Sequence, residues 1–484
     1  MTTAATQART SVDTTVHTPD DHVIVLFGAS GDLAKRKLLP GLFHLNEAGL
    51  MPRDFRIVGC SRNPLRDDEF RALAREAVKT FGRRPATGAS WDPFAEKLSY
   101  VGTAEGLGGL REAVREAVEA IGGAPRLLHY LSVPPNAAAG VIQELGTCGL
   151  VERARVIMEK PFGVDLESAR RLNALLHSVF DESQVFRIDH FLGKETVQNI
   201  LALRFANGMF EPVWNRDHID HVQIDVPETL SVGTRAGFYE QTGAYRDMVV
   251  THLFQVLGFV AMEPPTSITS EALITEKHKV FDTIEPIDPA HVVRGQYEGY
   301  REIPGVAPGS DTETFVALKA CIDSWRWADV PFYMRTGKRL HRSGHAITIA
   351  FRGPPRHVFA LAPQIDDPNL LTFELGEPGS ITATFLAKEP GATLRLAPAD
   401  MKFEYEESFA TAKQLEAYER LLHDAMIGDR MLFTSAGGIE RLWEISEPLI
   451  QRPPPAHPYA PGSWGPPEAE ELVAPSHWHL SAHG

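Results

Sequence analysis

A chain of 484 residues is too long to close around one hydrophobic core, so two domains are expected. Its net charge of −15 repels polyanions, which argues against a general nucleic-acid binder but leaves room for an anionic ligand held by a few local cations. No run of about 18 apolar residues marks a membrane span. The three cysteines, Cys60, Cys148 and Cys321, are too far apart in sequence for a CxxC metal pair, which suits a reducing cytosol and predicts neither zinc nor disulfides.

Residues 1–20 are rich in Thr and Ala, lack the apolar core of a signal peptide, and are expected to form a disordered lead-in. From 21 to 204 short apolar runs alternate with helical patterns. HVIVLF (22–27), FRIVGC (55–60), LLHYLS (127–132), RVIM (155–158) and QVFRI (184–188) read as strands. Residues 32–48, 110–121 and 166–180 read as helices. Strands separated by helices predict βαβ units and a parallel, doubly wound sheet.

Beyond 205 the pattern changes to strands of period two: HVQIDV (221–226), AITIAF (346–351), LTFEL (371–375), SITATFL (380–386) and MKFEY (401–405). That alternation predicts a mainly antiparallel sheet covered on one face. Helices are expected at 246–259 and 412–427, the latter capped by Gly428. The proline-rich stretch 448–467 is expected to be extended. The whole reads as a Rossmann-like α/β domain (21–204) followed by a larger α+β domain (205–484) for substrate binding and oligomerisation.

The first strand runs into Gly28-Ala29-Ser30-Gly31-Asp32-Leu33-Ala34. A glycine-rich turn between strand and helix lets the backbone approach a pyrophosphate, and the helix N-terminus adds free N–H groups. The spacing is G-x-x-G rather than G-x-G-x-x-G, so a tight structural turn is the competing reading. The second strand ends at Ser61-Arg62 with no acid to hold ribose hydroxyls, which favours NADP, with NAD a weaker alternative. A surface arginine is the bland alternative for Arg62. Two more strand ends carry EKPFG (159–163) and DHFLGK (189–194). Lys160, Asp189, His190 and Lys194 thus fall where ligands bind in open α/β sheets. Clustered lysine and histidine there suit a phosphorylated substrate better than ordinary loop charges do.

GASGDLAKRKLLP, EKPFG and RIDHFLGKE resemble the signature segments of the glucose-6-phosphate dehydrogenase family. The resemblance continues through FEPVWNRDHIDHVQI, GAYRDMVVTHLFQVL, RWADVPFYMRTGKRL and SWGPPEAEEL. It implies oxidation of a sugar phosphate at C1 with hydride transfer to NADP, giving 6-phosphogluconolactone, in a cytoplasmic homodimer or homotetramer that needs no metal. By resemblance His252 is the catalytic base and Asp189 orients it. His190 and Lys194 bind the phosphate. Lys160 contacts the sugar near C1 and the nicotinamide side, and Glu228, Asp247 and Lys338 hold sugar hydroxyls. Pro161 sets the backbone near the nicotinamide, and Tyr130 and Pro134 line the cofactor crevice. The sequence departs from the family at Phe191, usually tyrosine, at Thr251, usually asparagine, and at Ser343, often a cation. The residues also leave open a dehydrogenase for another hexose phosphate or free sugar, or a catalytically weak regulatory paralogue.

Overall fold

The computed structural model describes residues 18–104, 106–356, 358–359, 369–376, 379–409 and 414–482. Residues 1–17 of the expected lead-in and 412–413 of an expected helix lie outside them. The chain divides into two compact units. Unit 1 comprises 1–134, 144–157 and 418–429; unit 2 comprises 135–143, 158–417 and 430–484.

Unit 1 is built on parallel strands β1 (His22–Phe27), β2 (Phe55–Ser61), β3 (Leu98–Gly102), β4 (Arg126–Leu131) and β5 (Ala154–Met158), which ends at the unit boundary, in the order β5-β4-β1-β2-β3. This is the doubly wound arrangement, with its order reversing between β1 and β4. The central strand HVIVLF is buried at every residue, as a strand covered on both faces must be. β3 and the helix Asp67–Phe81 add to the elements read from sequence.

A segment from far along the chain completes unit 1. Helix Ala417–Ile427 reads YERLLHDAMI from its second residue, and its Glu419 is 1% exposed. His44 Nδ1 lies 2.8 Å from Glu419 Oε1, and Arg83 pairs with the other oxygen. At the far end Arg155 donates to the last carbonyls, 2.9 Å to Ala425 and 2.5 Å to Met426, and Gly428 at φ +85° ends the helix as expected.

Unit 2 contains β6 (Val185–Ile188), β7 (Ile219–Pro227), β8 (Val292–Tyr297), β9 (Phe315–Ala320), β10 (Phe332–Gly337), β11 (Ala346–Phe351), β12 (Leu370–Glu374), β13 (Ser380–Lys388), β14 (Leu396–Glu404), β15 (Phe433–Thr434) and β16 (Ala456–Tyr459). Nine of them form one sheet in the order β14-β13-β12-β11-β7-β10-β9-β8-β16. It is mainly antiparallel, with β7·β10 and β8·β16 parallel.

The period-two reading of β7 needs correction. His221, Gln223 and Asp225 form the polar face that alternation assigns to solvent, yet all three are buried. The C-terminal segment covers them. Gln223 Nε2 donates to the His477 carbonyl at 2.7 Å, and Gln223 Oε1 accepts from the His479 N–H at 3.0 Å. Asp225 is paired with Arg335 of β10, whose guanidinium lies 4.4 Å from the Trp478 ring and 5.0 Å from that of Trp464. A second correction concerns Pro448. The helix Ala436–Gln451 runs through it before the chain becomes extended, because one missing N–H near a C-terminus removes a single bond.

The Glu419 contacts predict a stability effect. Glu419→Ala removes two charge-assisted contacts from the interior of unit 1 and should lower its unfolding free energy by about 2–3 kcal/mol. Urea denaturation of parent and variant measures this, and an unchanged midpoint would remove the helix's anchoring role.

Candidate active site

In unit 2 the strand β6 ends at Ile188 and Asp189 follows it directly. The strand is wholly buried, and its last two residues pair antiparallel with β15. The chain then folds tightly. The Phe191 N–H donates to Asp189 Oδ1 at 2.9 Å, the Leu192 N–H to the Asp189 carbonyl at 3.1 Å, and the Lys194 N–H to the Phe191 carbonyl at 3.2 Å. Lys194 is the N-cap of the helix Glu195–Ala206. Its ammonium therefore stands at a helix end that already favours anions.

The expected helix 246–259 is not a uniform α-helix. Tyr245–Leu253 winds with wide i→i+5 turns, and an ordinary helix, Phe254–Ala261, follows. The winding decides what shares a face. In an α-helix residues five apart point about 140° away from each other; in the wide turn they stack. Asp247 and His252, five apart, both reach the Lys160 ammonium. Lys160 Nζ lies 2.8 Å from Asp247 Oδ1 and 2.9 Å from His252 Nε2, and donates to the Asp247 carbonyl at 3.3 Å. Thr251 closes the turn from its side chain, donating to the Asp247 carbonyl at 2.6 Å. The stretch begins at Gly243, at φ +62°, where an added Cβ would stand 2.4 Å from Glu313 Oε1. Glu313 accepts from the Tyr245 N–H at 3.1 Å and so holds the helix start.

His252 Nδ1 lies 2.6 Å from Asp189 Oδ1, and both residues are 1% exposed. A carboxylate accepts only, so Nδ1 carries the proton and Nε2 presents its lone pair towards Lys160. Burial pushes His252 below its ordinary range; Asp189 pulls it back up, Lys160 pushes it down again, and the net direction is down. Burial alone would raise Asp189, but the charge of and hydrogen bond with His252 outweigh it and hold the carboxyl below its usual range. His190 is held well below the histidine range by burial and then by His252. Asp189, His190 and His252 bring ligand-capable atoms within 4.8 Å of one another. With its Nδ1 proton on Asp189 and an ammonium at Nε2, His252 offers no free lone pair to a cation in this arrangement.

Glu228 and Lys338 form an ion pair. Each is fixed through its backbone: the Glu228 N–H donates to the Gly337 carbonyl at 2.9 Å, and the Lys338 N–H to the Thr314 carbonyl at 2.8 Å. Sequence reasoning passed over Tyr239, whose buried hydroxyl has no hydrogen-bond partner among the described residues. Its ring lies 5.9 Å from Lys338 Nζ. Burial, then Asp247, pushes this phenol well above its ordinary range. Lys277 was also passed over. Its ammonium is buried 5.0 Å over the Phe259 ring, with burial lowering it to about 8 and Asp189 acting the other way. Nothing in the local sequence marks either residue, since both sit in helices of ordinary composition.

Unit 1 carries the glycine turn. Gly28, at φ +72°, leaves no space for a side chain: an added Cβ would stand 2.1 Å from the Ser132 carbonyl at the end of β4. The turn after β1 therefore touches the turn after β4, at the point where the strand order reverses. The Gly28 and Ala29 N–H groups donate to the Cys60 carbonyl at 2.8 and 3.1 Å, and Gly31 N–H to Gly28 at 2.8 Å. Ser30 Oγ lies 3.1 Å from Ser61 Oγ, Arg62 is exposed beside them, and Asp32 pairs with Arg36 at 2.8 Å. Leu33 precedes the helical stretch Ala34–Leu38 and Pro134 is extended, whereas Tyr130 is entirely buried within the sheet. This cradle fits a dinucleotide: a turn that admits only glycine, and an exposed arginine at the end of the second strand. Of the residues assigned to the cofactor, Lys160 and Pro161 belong to unit 2.

The sequence profile for "Glucose-6-phosphate dehydrogenase, NAD binding domain" matches residues 25–199, and that for "Glucose-6-phosphate dehydrogenase, C-terminal domain" matches 201–479. A glucose-6-phosphate 1-dehydrogenase of Treponema pallidum is 41% identical, over 95% of this chain and 95% of that protein. A crystal structure of glucose-6-phosphate 1-dehydrogenase from Mycobacterium avium superposes with a TM-score of 0.84 at 37% identity, covering 95% of this chain and 99% of that one. A glucose-6-phosphate dehydrogenase in complex with its substrate glucose-6-phosphate gives 0.87 at 32% identity, covering 96% and 99%. The two profiles run end to end through both the cradle and the Asp189–His252 site, and the chain belongs to the glucose-6-phosphate dehydrogenase family.

Proposed function

We propose that this chain oxidises D-glucose 6-phosphate at C1 to 6-phospho-D-glucono-1,5-lactone, with NADP as the hydride acceptor. The observation that carries the reading is the buried pair of His252 and Asp189 at 2.6 Å, with the free imidazole nitrogen beside Lys160. A base for an alcohol proton needs this arrangement: a neutral imidazole, one nitrogen held by a carboxylate that stabilises the imidazolium formed. The substrates printed for the family's relatives support the choice of sugar.

The residues divide the work. His252 Nε2 takes the C1 hydroxyl proton, displacing the Lys160 ammonium, which then donates to the sugar oxygen. Asp189 keeps the tautomer. Asp247, Glu228 and Lys338 hold ring hydroxyls. His190 and Lys194, at the start of the helix Glu195–Ala206, hold the phosphate. When bound, the nicotinamide supplies the hydride acceptor at C4. Gly28, Ser30, Gly31, Asp32 and Leu33 hold the dinucleotide and Arg62 its 2′-phosphate, with Pro134 beside them; Tyr130, expected to line the crevice, is entirely buried and does not belong to the set, and Lys160 and Pro161 are assigned to the nicotinamide by the family resemblance alone. No helix among the described residues is long and apolar enough to cross a membrane. We infer a cytosolic homo-oligomer, with residues 21–204 as the cofactor domain and 205–484 as the substrate and oligomerisation domain.

His252→Asn should lower kcat by about 10²–10⁴-fold, the usual contribution of general-base catalysis, while KM for the sugar moves little. Asp189→Asn should also lower kcat, and the double variant should lose far less than the product of the two losses, because both serve one proton transfer. A fully multiplicative loss would separate their roles.

The pH profile carries a sign. The base works deprotonated, and its affinity for protons lies below the ordinary histidine value of about 6.5, so the acid limb of kcat/KM should fall below that pH. Asp189→Asn removes a charge that raises His252, so the limb should move to still lower pH. Movement upward contradicts the pairing.

Arg62→Ala should raise KM for NADP by about tenfold or more and leave KM for NAD nearly unchanged, as loss of a charge-assisted phosphate contact requires. Equal effects on both cofactors exclude the 2′-phosphate role.

A further inference from the structure

The Phe191 ring is the hub of a cluster that the base and the phosphate-binding pair do not exhaust. His252 stacks on it, with centroids 4.6 Å apart and planes 19° apart. His190 meets it edge-on at 5.2 Å. The Lys194 ammonium stands 4.5 Å from its centroid. A fourth group arrives from elsewhere in unit 2: His345, just before β11, also meets the ring edge-on, at 5.6 Å. Nothing in the sequence singled out His345.

The placement of His345 is fixed from the backbone. Its carbonyl accepts from the Leu375 N–H at 2.7 Å, and the preceding Gly344 N–H donates to the Pro227 carbonyl at 3.0 Å. Its ring is partly exposed and lines a cavity of about 330 Å³ shared with Arg342, Ser343 and Lys402, and with Glu374 and Glu404. Burial first, then Lys194 and His252, lowers its proton affinity to about 4. At neutral pH His345 is therefore an uncharged imidazole with one N–H to donate, in the field of the Lys194 ammonium.

We propose that His345 is a further contact to the substrate's phosphate, donating an N–H alongside His190 and Lys194 around the Phe191 ring. The proposal rests on the reading that His190 and Lys194 hold that phosphate. Lys194 stands over the Phe191 ring and the two imidazoles His190 and His345 meet it edge-on, so an anion paired with that ammonium has imidazole donors beside it. Hydrogen bonds to a charged group are stronger in such surroundings than in water. His345 touches neither the base's proton nor C1 in this assignment, so its effect belongs to binding.

The test is a set of variants assayed for KM and kcat with glucose 6-phosphate, and for competitive inhibition by inorganic phosphate. His345→Phe keeps a ring against Phe191 but has no donor. It should raise KM and the inhibition constant of phosphate together by about three- to tenfold, the scale of one lost hydrogen bond, with kcat within about twofold. His345→Gln, which keeps an N–H donor, should restore most of both. Lys194→Ala provides the comparison. If Lys194→Ala raises KM and weakens phosphate inhibition while His345→Phe changes neither, His345 is not a phosphate contact and the phosphate reading stands. If neither variant changes either constant, the phosphate binds elsewhere and both fall. A His345→Phe loss confined to kcat, or one that glutamine does not rescue, also overturns the proposal.

Discussion

The site depends on one constraint: the buried carboxylate of Asp189 fixes one nitrogen of His252 and thereby leaves the other without a proton. Both partners are taken out of water, which is costly for a charge unless it is hydrogen-bonded. Asp189 Oδ1 meets that demand twice, from the His252 ring and from the Phe191 N–H. Its other oxygen has no hydrogen-bond partner among the described residues. The carboxylate therefore cannot move away from the imidazole without losing its compensation, and the tautomer is held by the same contacts that hold the fold.

That constraint explains the irregular helix. Lys160 must satisfy its partly buried ammonium while facing His252 Nε2, and it does so by binding Asp247 from the same helix as His252. An α-helix would place Asp247 and His252 on different faces; the wide turn stacks them. Gly243 and Glu313 begin that turn and Thr251 supports it, so residues that touch neither Lys160 nor Asp189 set the geometry of those that do. Irregular winding of this kind is uncommon in helices and concentrates at functional sites.

Much of this was legible in the sequence, and the reasons for what was not are physical. HVIVLF reads as a buried parallel strand because six apolar residues in a row have no polar face to expose, and the structure buries all six. HVQIDV reads as half-exposed because it alternates, yet its polar residues are covered by Trp478, His477 and His479 from more than 250 positions away; alternation reports polarity, and only tertiary contact decides exposure. The helix carrying Glu419 was assigned to the second half of the chain by position, whereas its partners His44 and Arg83 lie in the first. The motifs that carry Lys160, Asp189, His190 and Lys194 stood out because each follows a strand. His252 stood out only through the family resemblance, since one histidine among 19 on an amphipathic pattern carries no local signal.

The residues that no motif revealed share a property. Tyr239, Lys277 and His345 are all defined by neighbours brought together by folding: Tyr239 by Asp247 and Lys338, Lys277 by Asp189, His345 by Phe191. A tyrosine at position 191 would bring its own hydroxyl to this cluster; phenylalanine leaves the ring to work as a surface. A bare ring cannot donate, so any donor there must come from its neighbours: Lys194 over the ring, and His190 and His345 meeting it edge-on. The polar chemistry of the cluster is thus distributed around an apolar centre, which orders the side chains that meet it.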